Sequence, residues 1–152
     1  MVLLVPFDGS ELSKAALRRA REFSEYTDEA VIALSIIPDD ADYARERDWI
    51  GENESFAVES VREALAELVA DVDPDAEFRC EIPEDVSSMA DLTTDVVRTI
   101  REVAHEVDAS IVFVGSENAG RVTTPVCSVG APISEDPEYD VHIVRHAEPV
   151  VA

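Results

Sequence analysis

The sequence predicts an α/β fold: a doubly wound, mostly parallel five-stranded sheet with helices on both faces. Three observations carry this reading. Short apolar runs stand at Val2–Val5, Ala30–Ile37, where Ser35 is the one polar residue, and Ile111–Val114, as strands buried on both faces require. Segments with apolar residues at three- and four-residue spacing separate them. The two kinds alternate along the chain, and parallel neighbours need such crossovers, which wind right-handedly and cover the sheet on both sides.

Val2-Leu3-Leu4-Val5 reads as a central strand that Pro6, lacking a donor, brings to its end. Asp8-Gly9-Ser10-Glu11 follows. Ser10 is a good N-cap, and Glu11 suits the positive end of a helix dipole. The helix runs from about Glu11 to Tyr26, with Leu12, Ala15, Ala16, Leu17, Ala20 and Phe23 on one face. The run from Ala30 to Ile37 is a second buried strand, stopped by Pro38. Asp39 to Gly51 reads as a polar loop with some helical character, in which Tyr43 and Trp49 are the large apolar residues. A second helix is expected from about Glu54 to Val72, ended by Asp73-Pro74-Asp75.

Glu77 to Ile82 alternates, with Phe78, Cys80 and Ile82 on one side, and reads as a half-buried edge strand. After the linker Pro83–Ser88, a helix covers about Ala90 to Val107. Ile111-Val112-Phe113-Val114 is the next buried strand, closed by Gly115, where the backbone turns tightly or approaches something closely. Val141-His142-Ile143-Val144 forms a short last strand. If the first strand lies at the middle of a doubly wound sheet, Asp8-Gly9-Ser10 faces the loop after Gly115 across the point where the winding reverses, and ligands bind there. That loop carries Gly120, Gly130, Arg121 and the hydroxyls of Ser116, Thr123, Thr124 and Ser128. It reads as a phosphate cradle or as a plain turn.

The length of 152 residues suits a single domain, 1–152, with a real core. No apolar run approaches a membrane span, and no basic region precedes an apolar one at the N-terminus, so the chain reads as cytoplasmic. Cys80 and Cys127 fall in different elements and read as free thiols. Charge is the unusual quantity. Thirty-four acidic residues against twelve basic ones give −22, and Lys14 is the one lysine. The acids are spread along the whole chain, which argues for an acidic surface on a folded body. Such a surface repels nucleic acid and anionic membranes. It resembles the surfaces of proteins from salt-accumulating microbes, where dense salt screens self-repulsion.

Four segments also carry a family likeness. Val5-Pro6-Phe7-Asp8-Gly9-Ser10-Glu11 resembles the opening of the universal stress protein family. Ala33-Leu34-Ser35-Ile36-Ile37-Pro38 is similar to that family's second strand, Asp108–Ser116 to the approach to its nucleotide loop, and Val141-His142-Ile143-Val144-Arg145 to its closing strand. The four stand in the family's order. The resemblance implies strand order 3-2-1-4-5 in an adenine-nucleotide alpha-hydrolase-like three-layer sandwich. It implies ATP or AMP as ligand, with magnesium if ATP is bound, and a homodimer through the last strand, at Val141, Ile143, Val144 and Arg145.

ATP-binding members carry Gly, two residues, Gly, nine residues, then Gly with Ser or Thr. Here Gly115 matches the first glycine, and Asn118 stands at the second. Gly120 and Gly130 have nine residues between them, but Ala131 follows. Counting back from the last strand instead aligns Cys127-Ser128-Val129 with the family's Gly-Ser-Val, the register we prefer. It keeps a hydroxyl at Ser128 and loses two of three glycines. Asn can take positive φ in place of glycine, but Cys127 cannot do so cheaply. Arg121 is a candidate phosphate clamp. By resemblance the site comprises Pro6, Asp8, Ile36, Gly115, Ser116, Asn118, Gly120, Arg121, Ser128 and Val129. Asp8 would lie near the ribose or the metal–phosphate region, and the Ile36 main chain at the adenine edge. From turn chemistry alone, Asp8 equally serves to stabilise the Asp-Gly-Ser turn.

His105, His142 and His146 show no metal-ligand clustering, and no residue stands out as a catalytic base. The reading is a dimeric binding or regulatory protein with a degenerate ATP-binding loop. Its alternatives are a slow ATPase or phosphotransferase, and an interaction module without nucleotide.

Overall fold

A computed structural model describes residues 2–83, 89–115 and 139–145, and their side chains except at 89–95. The elements in chain order are β1 Val2–Pro6, α1 Glu11–Thr27, β2 Ala30–Ile36, α2 Ala41–Glu46, α3 Val58–Val72, β3 Glu77–Glu81, α4 Met89–Glu106, β4 Ala109–Gly115 and β5 Asp140–Val144. The five strands form one sheet in the order β3-β2-β1-β4-β5. All four neighbouring pairs are parallel. The chain steps outward from β1 to β3, crosses back by α4, and steps outward again from β4. The winding therefore reverses beside β1, as the strand pattern predicts.

The sheet packs on both faces. Leu3, Val5, Phe7 and Phe113 join α1 and α3 through Ala16, Leu17, Leu65 and Val69. Leu4, Leu34, Ile36, Val112 and Val114 join α4 through Val97, Ile100, Val103 and Ala104. Adjacent residues of β1 thus feed opposite cores, and Leu3, Leu4 and Val5 are all fully enclosed. This explains why the central strands read as unbroken apolar runs rather than alternating ones.

Two boundaries differ from the sequence reading. α3 begins at Val58 rather than near Glu54, because residues 52–55 offer no apolar side chain to bury; Glu54 instead closes a turn onto Gly51. Phe56 packs against the α1–α3 core from ahead of the helix. β3 is an edge strand with Phe78 and Cys80 turned inward, but it ends at Glu81, and Ile82 is 48% exposed rather than aligned with them. Pro83 follows and has no donor to extend the ladder.

β5 pairs with β4 on one side, and among the described residues nothing pairs with its outer edge. Its inner face holds a ring cluster. His142 lies 5.2 Å from Phe113 and 5.8 Å from Phe23, which contacts Phe113 at 5.3 Å. Burial here, with Arg19 nearby, holds the His142 imidazole below its ordinary value of 6.5. An unfolded chain takes up that proton more readily than the folded one. His142 therefore costs no stability above about pH 6.5 and progressively more as pH falls below it. Urea unfolding at about pH 7.5 and about pH 5.5 checks this: the wild type should lose more stability between the two than His142→Phe, and equal losses would remove the effect.

Candidate functional site

The carboxyl ends of β1, β2 and β4 meet at one edge of the sheet. Phe7, just past β1, fixes the exit. Its N–H donates to the Leu34 carbonyl at 2.7 Å, its carbonyl accepts from the buried Ser35 hydroxyl at 2.7 Å, and its ring lies in the α1–α3 core. Asp8 follows immediately, so its position is set by the sheet.

Asp8-Gly9-Ser10 then turns into α1. Gly9 has φ +83°, which favours glycine, and a Cβ on it would also lie a tight 3.2 Å from the Leu65 side chain. Ser10 caps the helix: its hydroxyl accepts from the Ser13 N–H, and its own N–H donates to Asp8 Oδ1 at 2.9 Å. The turn-stabilising reading of Asp8 is therefore correct, and it leaves the second carboxylate oxygen available. Arg47 donates to that oxygen, Oδ2, at 3.2 Å, and the Trp49 indole donates to the Asp8 carbonyl at 2.7 Å.

These two partners come from a segment the sequence presents only as polar loop. Asp40 caps the short α2 by accepting from the Tyr43 N–H at 3.0 Å. Tyr43 and Ala44 are buried under it. Asp48 takes a left-handed φ of 59° and turns Trp49 back to meet Tyr43, ring centroids 5.7 Å apart. The Arg47 guanidinium lies 4.4 Å over the Tyr43 ring. Burial pushes the Tyr43 phenol above its ordinary value despite that cation, so Tyr43 is a neutral wall.

Asp8, Arg47 and Trp49 divide the edge into two spaces. Toward α4, Pro6, Asp8 and Ile36 line a narrow space of about 40 Å³ together with Tyr43 and Trp49. Toward α3, a cleft of about 390 Å³ opens beside Asp8 and Ser10, walled by Leu65 and Leu68. That size falls within the range of small-molecule sites, whereas the first holds little more than a water. Gly115 lies at the same edge, at the end of β4. A Cβ there would stand 2.9 Å from Leu12 Cβ, in the first turn of α1, so its close approach is to a helix. Ser116, Asn118, Gly120, Arg121, Ser128 and Val129 lie outside the described residues.

Magnesium does not fit the donors placed here. The Asp8 oxygens face an N–H and a guanidinium, and among the described residues no three metal-ligating side chains gather. Tyr43 and Trp49 were visible as the large apolar residues of a polar stretch. Arg47 gave no signal, standing in alternation with Arg45, Glu46 and Asp48.

An open parallel sheet with its cleft at the reversal of winding defines a doubly wound α/β protein. The profile of the universal stress protein family matches residues 1–145, and the chain belongs to that family. No curated protein matches the chain. Among solved structures, the chain is similar to a universal stress protein in complex with cAMP, at 19% identity over 95% of this chain and 97% of that one, with a TM-score of 0.58. It is similar to a family protein from Burkholderia pseudomallei at 14% identity, 95% and 96% coverage and a TM-score of 0.60. A universal stress protein from Archaeoglobus fulgidus in complex with dAMP matches at 14% identity, 95% and 96% coverage and a TM-score of 0.55. At these identities the likeness is one of fold.

If Gly115 is there for packing, Gly115→Ala should destabilise the protein by about 1–3 kcal/mol, the usual cost of overpacking. The midpoint of urea unfolding measures it, and an unchanged midpoint would return Gly115 to a loop role alone.

Proposed function

We propose that this chain is a cytoplasmic, dimeric binding or regulatory protein that takes an adenine nucleotide, ATP or AMP, at the carboxyl edge of its sheet, and that residues 1–152 form one domain. The observation that supports the reading is the position of Asp8, which lines both the cleft over Leu65 and Leu68 and the narrow space that Pro6 and Ile36 line. Family members with cAMP and dAMP bound support the ligand class. Asp8 is suited to accept from ribose hydroxyls, and the Ile36 main chain lies at the end of β2, where an adenine edge can reach it. The phosphates would extend to the loop after Gly115, with Ser116, Asn118, Gly120, Arg121, Ser128 and Val129. Loss of two glycines there makes that cradle degenerate. Magnesium, where present, would arrive with ATP.

The dimer would form along β5. Ile143 is 41% exposed, Arg145 is exposed and Val141 is half-buried. Val144 is enclosed in its own core and would contribute main chain only. The acidic surface suits work in concentrated salt, within a stress response. One observation favours an interaction module without nucleotide: Tyr43 and Trp49 occupy the space beside Ile36.

Trp49 is the single tryptophan and bonds to Asp8, so its emission reports on the site directly. Titration with AMP, and with ATP and magnesium, at high salt should shift that emission saturably without hydrolysis. Saturable binding with turnover would favour the ATPase alternative. No shift and no heat of binding for either nucleotide would favour the interaction module.

A further inference from the structure

We propose that Arg47 makes the Asp8 cleft selective for a phosphorylated ligand over its neutral nucleoside, by turning its guanidinium from Asp8 to the phosphate nearest the ribose, any further phosphates extending to the loop after Gly115. The inference rests on the nucleotide reading of this cleft and adds the residue that sets its charge preference. The chain carries −22, and three of its carboxylates, Asp8, Glu11 and Asp48, line the cleft. An anion entering there meets a repulsive field unless a local cation offsets it. Among the described residues, Arg47 is the one cation lining either space, and it lines both.

Its donors are under-used. One N–H reaches Asp8 Oδ2 at 3.2 Å and the guanidinium also hydrogen-bonds the Tyr43 side chain, while among the described residues the buried Nε has no hydrogen-bond partner. A guanidinium has five donors in a planar fork that matches a phosphate, so it can exchange its single contact to Asp8 for a paired contact to phosphate. The backbone around it is fixed from both sides: Tyr43 and Ala44 are buried before it, and Trp49 is tied to the Asp8 carbonyl after it. Tyr43 supports the plane of the fork from below at 4.4 Å. With the backbone held, the move from carboxylate to phosphate falls to the side chain. That movement also releases the Asp8 oxygen for a sugar hydroxyl. A neutral nucleoside gains nothing from the exchange and must compete with Arg47 for Asp8.

Calorimetric titration of AMP and of adenosine into the wild type, Arg47→Met and Arg47→Lys tests this. Methionine keeps a stem to pack on Tyr43 and removes the charge; lysine keeps the charge and loses the fork. The wild type should prefer AMP. Arg47→Met should weaken AMP by about tenfold or more, as loss of a charge-assisted hydrogen bond does, while adenosine binds as well as before or better. Arg47→Lys should recover part of the preference, and urea unfolding confirms that both variants fold. If Arg47→Met weakens AMP and adenosine by the same factor, or neither, Arg47 is only a packing residue and the proposal fails. If the wild type binds neither ligand, the nucleotide reading itself falls, and the role of Arg47 with it.

Discussion

The functional edge of this protein depends on how Asp8 is held. All three of its acceptor atoms are engaged: one carboxylate oxygen by the Ser10 N–H, the other by Arg47, and the carbonyl by the Trp49 indole. Three separate elements therefore meet at one residue: the start of α1, the segment after α2 and the end of β1. The anchor lies one residue earlier. Phe7 spends both main-chain groups on β2 and its ring on the core, so Asp8 inherits the rigidity of the sheet. A site built this way is held by a central strand of the sheet rather than by a loop of its own.

The same arrangement explains how one pair of residues serves both structure and recognition. The Asp8–Arg47 pair is about one-fifth exposed on each side. It is too wet to demand the strict compensation of a buried ion pair and too enclosed to be screened like a surface one. Such a pair costs little to break when a ligand offers replacements. Against a strongly acidic surface, a single guanidinium can decide which ligands enter, since its charge acts over a few ångströms while the general field is damped by salt.

The strands and the reversal of winding were legible in the sequence because burial on both faces leaves unbroken apolar runs. Leu3, Leu4 and Val5 show this most plainly, enclosed by opposite cores in turn. The capping of α1 by Ser10 was legible because its chemistry is local. The start of α3 was misread because Phe56 has the right period yet packs from outside the helix, and Ile82 because alternation carries no mark of where a ladder ends. At the site, Asp8 was found through its turn and its family likeness. Arg47 was not, because its partner lies 39 residues away and its neighbours in sequence are a uniform run of charge. The closing of the Ile36 side by Tyr43 and Trp49 is likewise tertiary: two aromatic residues in a polar stretch signal burial but not where.

The account stands on the claim that the ligand is received where Asp8 ends the first strand. A crystal structure of the protein with AMP tests it most directly. The account places a ribose hydroxyl on the Asp8 carboxylate and the adenine edge on the Ile36 main chain, the Tyr43 and Trp49 rings turning aside while their backbone stays in place. AMP seated instead at the opposite end of the sheet, in the acidic cleft between Arg21 and Asp73, with Asp8 still bonded to Arg47, would contradict it.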